Sequence, residues 1–136
     1  MNKICTTIEQ SKKLIELGVN VNTADMYYEE VCNLPKAIVG NYILHNQCME
    51  DKDYKKLSHP VLSPAWSLAA LSEFILPYIG DDDGNNYKFY LSKDDIDRWI
   101  AYYKSDDVSI YICEESDNMI DVILEMVCWL KKEEYI

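Results

Sequence analysis

Residues 117–132 read DNMIDVILEMVCWLKK, a run in which only two acidic residues interrupt the apolar side chains between the ends. Ser116 or Asp117 is suited to begin a helix, because a short polar side chain caps free N–H groups and a negative charge suits the positive end of the helix dipole. Lys131 and Lys132 suit the negative end. A helix that is apolar on so many sides is buried on most of them. We therefore predict a final helix that packs against a sheet.

Three strands are predicted ahead of this helix. Aromatic and β-branched residues, which favour pleated sheets, are concentrated at Tyr87–Leu91, at about Trp99–Tyr103 and at Val108–Cys113. The middle segment is ambiguous, because the apolar residues of Ile96–Tyr103 also follow helical spacing. The sequence leaves open whether this segment is a strand or a helix, and we predict a strand.

The first third of the chain predicts a helix followed by two strands. Thr6 and Glu9 have the spacing of a capping box, in which each side chain bonds the backbone N–H of the other residue. We predict a helix at about residues 7–17. The turn formers beyond it precede two segments that read as strands, Met26–Val31 and Ile38–Leu44.

A polar segment and a second apolar helix are predicted in the middle of the chain. Residues 45–63 are polar and charged, which is typical of a long surface loop. Ser63 followed by Pro64 is a typical start of a helix, and a nearly apolar run continues from there until Pro77. Residues 81–86, DDDGNN, then predict a turn.

Together these elements predict a single α+β domain over residues 1–136. The predicted order is α-β-β-α-β-β-β-α, with an antiparallel sheet packed against the helices. A chain of 136 residues buries about two thirds of its extended surface on folding, which suits one core. Hydrophobic residues make up 49% of the chain, so its composition is that of a packed globule.

The net charge excludes whole classes of partner. The chain carries a formal charge of −11, and Arg98 is its only arginine. Nucleic acids and anionic membrane surfaces attract basic proteins, in which arginine commonly binds the phosphates. We therefore predict no direct binding of nucleic acid or membranes.

Cysteine usage and hydropathy predict a cytoplasmic location. Cys5, Cys113 and Cys128 stand among apolar residues, which predicts buried thiols. The number of cysteines is odd and no CxxC motif occurs, as is common in a reducing compartment. The first residues lack the apolar run of a signal peptide, and no stretch reaches the roughly 18 apolar residues of a membrane span.

Four residues are candidates for metal binding or thiol chemistry: Cys32, His45, Cys48 and His59. A zinc site needs four such ligands, but only His45 and Cys48 have the close spacing that zinc modules use. Cys48 with His59 could form a nucleophile and its base, yet no sequence feature activates the thiol. Residues 81–84 lack the ligand spacing of a calcium loop. We predict no metal, cofactor or catalytic residue, and whether the four residues come together stays open.

Four segments carry a resemblance to known proteins: Thr6–Leu14, Thr23–Tyr27, Pro64–Leu68 and Glu125–Leu130. In these segments the chain resembles a group of short uncharacterised proteins from gut Bacteroidetes, their phages and mobile elements. The resemblance implies a bacterial or phage cytosolic protein of α+β fold. It implies no activity, cofactor or functional residue.

Three classes of function are compatible with these features. The first is a non-enzymatic protein interaction module, favoured by the aromatic content and by two helices that are too apolar for a small monomer. The second is an acidic mimic of nucleic acid that inhibits a DNA-binding protein, and the third is a small enzyme that uses scattered carboxylates or Cys and His. The surplus of apolar faces predicts a homodimer, with its contact at Trp99, Tyr102 and Tyr103.

Overall fold

The computed structural model describes residues 3–41, 61–107 and 110–136. Its contacts divide the chain into two compact units. The N-terminal unit is Ile4–Ala70, and the C-terminal unit is Leu71–Ile136 together with Met1–Lys3. The single domain expected from the sequence stays a prediction.

The α+β fold class and the predicted order of its elements are confirmed. The α-helices are α1 (Ile8–Glu16), α2 (Leu68–Ser72) and α3 (Met119–Lys132), and Val21–Thr23 form a 3-10 helix. The strands are β1 (Met26–Val31), β2 (Leu34–Val39), β3 (Val61–Ala65), β4 (Tyr78–Gly80), β5 (Asn86–Lys93), β6 (Trp99–Lys104) and β7 (Ile110–Ser116). The short strands β3 and β4 were not predicted.

The N-terminal unit contains an antiparallel sheet with the strand order β2-β1-β3. Val31 pairs with Leu34, so only Cys32 and Asn33 connect β1 to β2. Both connecting residues have positive φ, 53° and 64°, as a type I′ turn requires. β2 therefore begins at Leu34, four residues before the start that the sequence predicted for this strand.

The start of the predicted middle helix is wrong, because Ser63 and Pro64 belong to β3. The β1 residues that pair with Ser63 and Ala65 direct their backbone N–H and C=O groups towards β3. The nitrogen of Pro64, which lies between Ser63 and Ala65, therefore points away from β1, and its missing N–H costs no hydrogen bond of the sheet. The residue before a proline is also biased towards extended backbone. The helix is limited to Leu68–Ser72, where the Ser67 hydroxyl accepts a hydrogen bond from Ala70 N–H at 3.2 Å.

The first helix is confirmed, but its capping residues differ by one position from those predicted. Thr7 is the N-cap, and its hydroxyl accepts a hydrogen bond from Gln10 N–H at 3.1 Å while the Gln10 side chain accepts one from Thr7 N–H at 3.0 Å. Thr6 is instead fully buried. Its hydroxyl accepts a hydrogen bond from Trp66 N–H at 3.0 Å and lies 2.8 Å from the Ser11 hydroxyl.

The C-terminal unit contains an antiparallel sheet with the strand order β4-β5-β6-β7. Residues 99–104 form a strand, which settles the helix alternative for this segment. Pairing across the sheet explains the result, since Tyr103 lies opposite Phe89 and Tyr102 lies opposite Tyr90. Cross-strand aromatic pairs stabilise a strand in a way that the spacing of one segment does not reveal.

Helix α3 packs against β6 and β7, as predicted. Eight of its fourteen residues are buried, so the expected burial on most sides is confirmed. Asn118, rather than Ser116 or Asp117, is the N-cap, and its side chain accepts a hydrogen bond from Ile120 N–H at 2.9 Å. Trp129 is only half-buried.

Candidate interaction face

The sheet of the C-terminal unit has two faces of different character. Ala101 and Tyr103 are fully buried on the face that carries the aromatic contact to Trp129 of α3. Side chains alternate along each strand, so the register places the remaining residues on the opposite face. We call this opposite side the outer face. Its members form three rows across the strands, namely Tyr78, Lys88, Lys104 and Ile110; Tyr90, Tyr102 and Cys113; and Ser92, Ile100 and Glu115.

The centre of the outer face is aromatic. The rings of Tyr90 and Tyr102 are stacked, with centroids 5.3 Å apart and planes 15° from parallel. Lys88 Nζ lies 5.8 Å from the centroid of the Tyr90 ring, and Lys104 Nζ lies 5.6 Å from it. Two ammonium groups therefore interact with one aromatic ring, an arrangement that holds long side chains in place by cation–π attraction.

The outer face is open to solvent over much of its area. Tyr78 is 59% exposed, Ile110 58% and Tyr90 37%, and Cys113 is also exposed. The β6 residues of this face, Ile100, Tyr102 and Lys104, are half-buried, as expected where neighbouring strands flank them on both sides. Exposed aromatic and aliphatic side chains that lie together are typical of interaction surfaces.

Cys113 corrects one prediction, because its thiol is exposed while Cys5 and Cys128 are buried as expected. Partial burial, followed by the charges of Glu115 and Glu114, raises the pKa of the Cys113 thiol. A raised pKa leaves little thiolate at neutral pH, so this thiol is a poor nucleophile.

Glu115 is the acidic member of the outer face. Its side chain is 55% exposed, and its carboxylate lies 3.4 Å from Arg98 Nη1. Arg98 Nε also lies 3.4 Å from the carboxylate of Asp117. Arg98, the single arginine of the chain, thus forms ion pairs with two exposed carboxylates just before the start of β6. Ion pairs at the surface each add little stability.

The three residues predicted for the dimer contact do not share one surface. Tyr102 lies on the outer face. Trp99 is half-buried on the side of Tyr103, with Lys93 Nζ 5.0 Å from its ring centroid. Tyr103 is fully buried, its hydroxyl donates a hydrogen bond to the Leu76 carbonyl at 2.7 Å, and burial raises its pKa to about 12.

Sequence reasoning missed the basic and aromatic residues that surround Tyr102. A signal was present: Lys88 and Tyr90 are two residues apart on β5, and Tyr102 and Lys104 are two residues apart on β6. Spacing by two places each pair on one face of a strand. Only the register between β5 and β6 shows that the two pairs are neighbours.

Of the four candidates for metal binding, Cys32 alone lies within the described residues. Cys32 is exposed in the turn between β1 and β2, and its partners His45, Cys48 and His59 lie outside the described residues. Within residues 3–41, 61–107 and 110–136, no three His, Cys, Asp or Glu side chains lie close enough to hold a metal ion.

The acidic residues 81–83 form the predicted turn, between β4 and β5. The Asp81 carboxylate accepts hydrogen bonds from Asn85 N–H at 2.9 Å, the Asn85 side-chain amide at 3.0 Å, Asp83 N–H at 3.0 Å and the Tyr87 hydroxyl at 2.8 Å. A shallow cavity of about 290 Å³ lies beside this turn, lined by Gly84, Asn85, Asn86, Ser105, Asp106 and Asp107. The oxygens of Asp81 are thus already used by the turn itself.

None of the described helices is long and apolar enough to cross a membrane. Comparison of the chain with protein-family models, curated proteins and solved structures finds no match.

Proposed function

We propose that this protein is a non-enzymatic protein interaction module and that the outer face is its docking surface. The observation that carries the proposal is the exposed aromatic centre formed by Tyr90 and Tyr102, with Lys88 and Lys104 against the Tyr90 ring. Tyrosine offers a large, rigid contact area with a polar tip, which is why it is enriched at protein interfaces.

The charge of the outer face supports a protein partner. Of the described carboxylates, none is within ion-pair distance of Lys88 or Lys104, so the lysine row is a locally basic patch on a chain of net charge −11. The net charge repels nucleic acids and anionic membranes, so we include their exclusion and a cytoplasmic location in the proposal. A local cationic patch favours a protein surface that offers carboxylates and apolar groups.

The proposal is tested by capture from a bacterial lysate that also contains an untagged copy of this chain. A host related to the Bacteroidetes is the appropriate source, because the sequence resemblance implies that origin. Immobilised wild-type protein is compared with Tyr90→Ser, which removes the ring at the centre of the outer face. Leu34→Ser is the matched control, because Leu34 is a 68% exposed apolar residue on β2 in the other unit.

We expect the wild type and Leu34→Ser to capture at least one protein that Tyr90→Ser does not capture. The untagged copy of this chain counts as such a protein. Quantitative mass spectrometry of the bound fraction measures the difference. The same captured set for all three baits would show that the outer face does not dock a protein.

A further inference from the structure

We infer that the occupant of the outer face is a second copy of this chain, packed face to face about a two-fold axis that crosses the strands. The inference rests on the proposed function. The axis passes along the row formed by Tyr90, Tyr102 and Cys113, which we call the aromatic row. Each residue of the aromatic row then faces the same residue of the second copy, as residues on a two-fold axis do.

The charge pattern selects this axis over the other symmetric arrangement. The lysine row, which contains Lys88 and Lys104, lies on one side of the aromatic row, and the row that contains Glu115 lies on the other side. A two-fold axis parallel to the strands would place the lysine row on the lysine row of the second copy. An axis across the strands places the lysine row on the row of Glu115 instead, so the outer face is complementary to itself.

The contacts of this arrangement follow from the register. Lys104 faces Ile100 of the second copy, whose neighbour across the strands is Glu115. The Lys104 ammonium is thus placed to join the exposed ion pair between Glu115 and Arg98 of the second copy. At the centre, Tyr90 and Tyr102 of each copy cover one another, which removes their exposed ring surface from water.

The area of the outer face predicts a weak dimer. The ten residues of the three rows, at about 4.8 Å between strands and about 6.8 Å between residues on one face, cover roughly 330 Å² per copy. Stable complexes bury about 800 Å² per partner, and smaller contacts are weak or transient. Each copy also carries a net charge of −11, which opposes association. We expect association only at concentrations of about 10 µM and above.

The first test is analytical ultracentrifugation from about 5 to about 500 µM at physiological salt, a range that brackets a dissociation constant of micromolar order. Lys104→Glu places like charges against Glu115 of the second copy and should raise the dissociation constant at least about tenfold. Combining it with Glu115→Lys exchanges the two charges and should restore much of the association. Lys12→Glu makes the same charge change on the exposed side of α1 and should have little effect.

The second test uses Cys113, which the axis places opposite Cys113 of the second copy. Packed sheet faces lie about 10 Å apart, too far for a direct disulfide. The probe is therefore a short bis-maleimide, in which each thiol adds across one maleimide double bond, and the concentrated wild-type protein should give a covalently linked dimer. Cys113→Ser should abolish the cross-link. Cys32→Ser, which removes the cysteine that is exposed in the described part of the other unit, should leave it unchanged. This test does not depend on Lys104→Glu or Glu115→Lys. It therefore tests the proposed two-fold axis even if those variants do not fold.

The outcomes separate this inference from the proposed function. A single species of monomer mass at every concentration, with no cross-link through Cys113, would overturn the dimer. In that case, if the wild type still captured from the lysate a protein that Tyr90→Ser did not capture, the proposed interaction module would stand. Its partner would then be a different, acidic protein. If a dimer formed but Lys104→Glu did not weaken it and no cross-link through Cys113 was obtained, the proposed axis would be wrong.

Discussion

Tyr103 and Leu76 are joined by a hydrogen bond of 2.7 Å, in which the hydroxyl of a fully buried tyrosine donates to a backbone carbonyl 27 positions earlier in the chain. The bond fixes the segment between α2 and β4 to the central strand of the sheet. It also satisfies the one polar atom of a large ring that is otherwise surrounded by Phe89 and Trp129.

Tyr103→Phe should therefore destabilise the protein by about 1–2 kcal/mol, because the substitution leaves the Leu76 carbonyl without its donor while the ring packing is kept. Urea unfolding followed by circular dichroism measures the change. Tyr102→Phe is the control on the adjacent, half-exposed residue and should change the free energy of unfolding by less than about 0.5 kcal/mol. Equal losses for the two variants would contradict this account.

The capping residues of α1 provide a second prediction. Thr7→Ala should cost about 1 kcal/mol, because the Thr7 hydroxyl accepts the hydrogen bond from Gln10 N–H. Gln10→Ala should cost part of that amount, since the Gln10 side chain bonds Thr7 N–H. Glu9→Ala should have almost no effect, although sequence spacing alone made Glu9 the capping-box partner of Thr6. Thermal unfolding of the three variants distinguishes the two assignments, and a larger loss for Glu9→Ala would favour the one made from sequence.

The two overlapping cap patterns show where sequence reasoning lost accuracy. Thr6 and Thr7 are chemically equal candidates, and both are followed three residues later by a side chain that can complete a capping box. The choice is made by Trp66, 60 positions away, whose N–H donates to Thr6 and so keeps the Thr6 hydroxyl in the interior. A long-range hydrogen bond of this kind leaves no trace in local spacing.

The same reason explains β3 and the outer face. Pro64 suits a helix start and an edge strand equally well, and only its pairing with Tyr27 decides between them. Ile100 and Tyr102 share one face of β6, as the alternation of side chains along a strand requires. The partners of Tyr102 on β5 depend on register, which is set by turns and by packing against the core. Periodicity therefore predicted most of the elements, the final helix included, whereas the grouping of Lys88, Tyr90 and Lys104 required the structure.

Trp129, whose ring is half-buried, gives a third prediction. Its centroid lies 5.4 Å from that of Tyr135, 5.8 Å from that of Tyr111 and 6.2 Å from that of Tyr103. Trp129→Ala should cost about 2–3 kcal/mol, below the usual range for a core tryptophan because the ring is partly exposed. Tyr78→Ala, at a 59% exposed residue, should cost less than about 0.5 kcal/mol. A Trp129→Ala variant as stable as Tyr78→Ala would show that these ring contacts contribute nothing.

The last prediction concerns the dependence of stability on pH. Hydrogen bonds from Asn85, and then from the Tyr87 hydroxyl, hold the pKa of the Asp81 carboxyl below its ordinary value of 3.8. A carboxyl with a lowered pKa in the folded state contributes stability that is present above the unfolded pKa and is lost as the pH falls through the folded pKa. Asp81→Asn should therefore be less stable than the wild type at neutral pH, and the difference should shrink as the pH falls below 3.8. Denaturant unfolding at several pH values from neutral to acidic measures it, with Asp82→Asn at the exposed neighbour as the control. If the difference stayed constant over that range, or if Asp82→Asn showed the same trend, the hydrogen bonds to ionised Asp81 would not be what stabilises the turn.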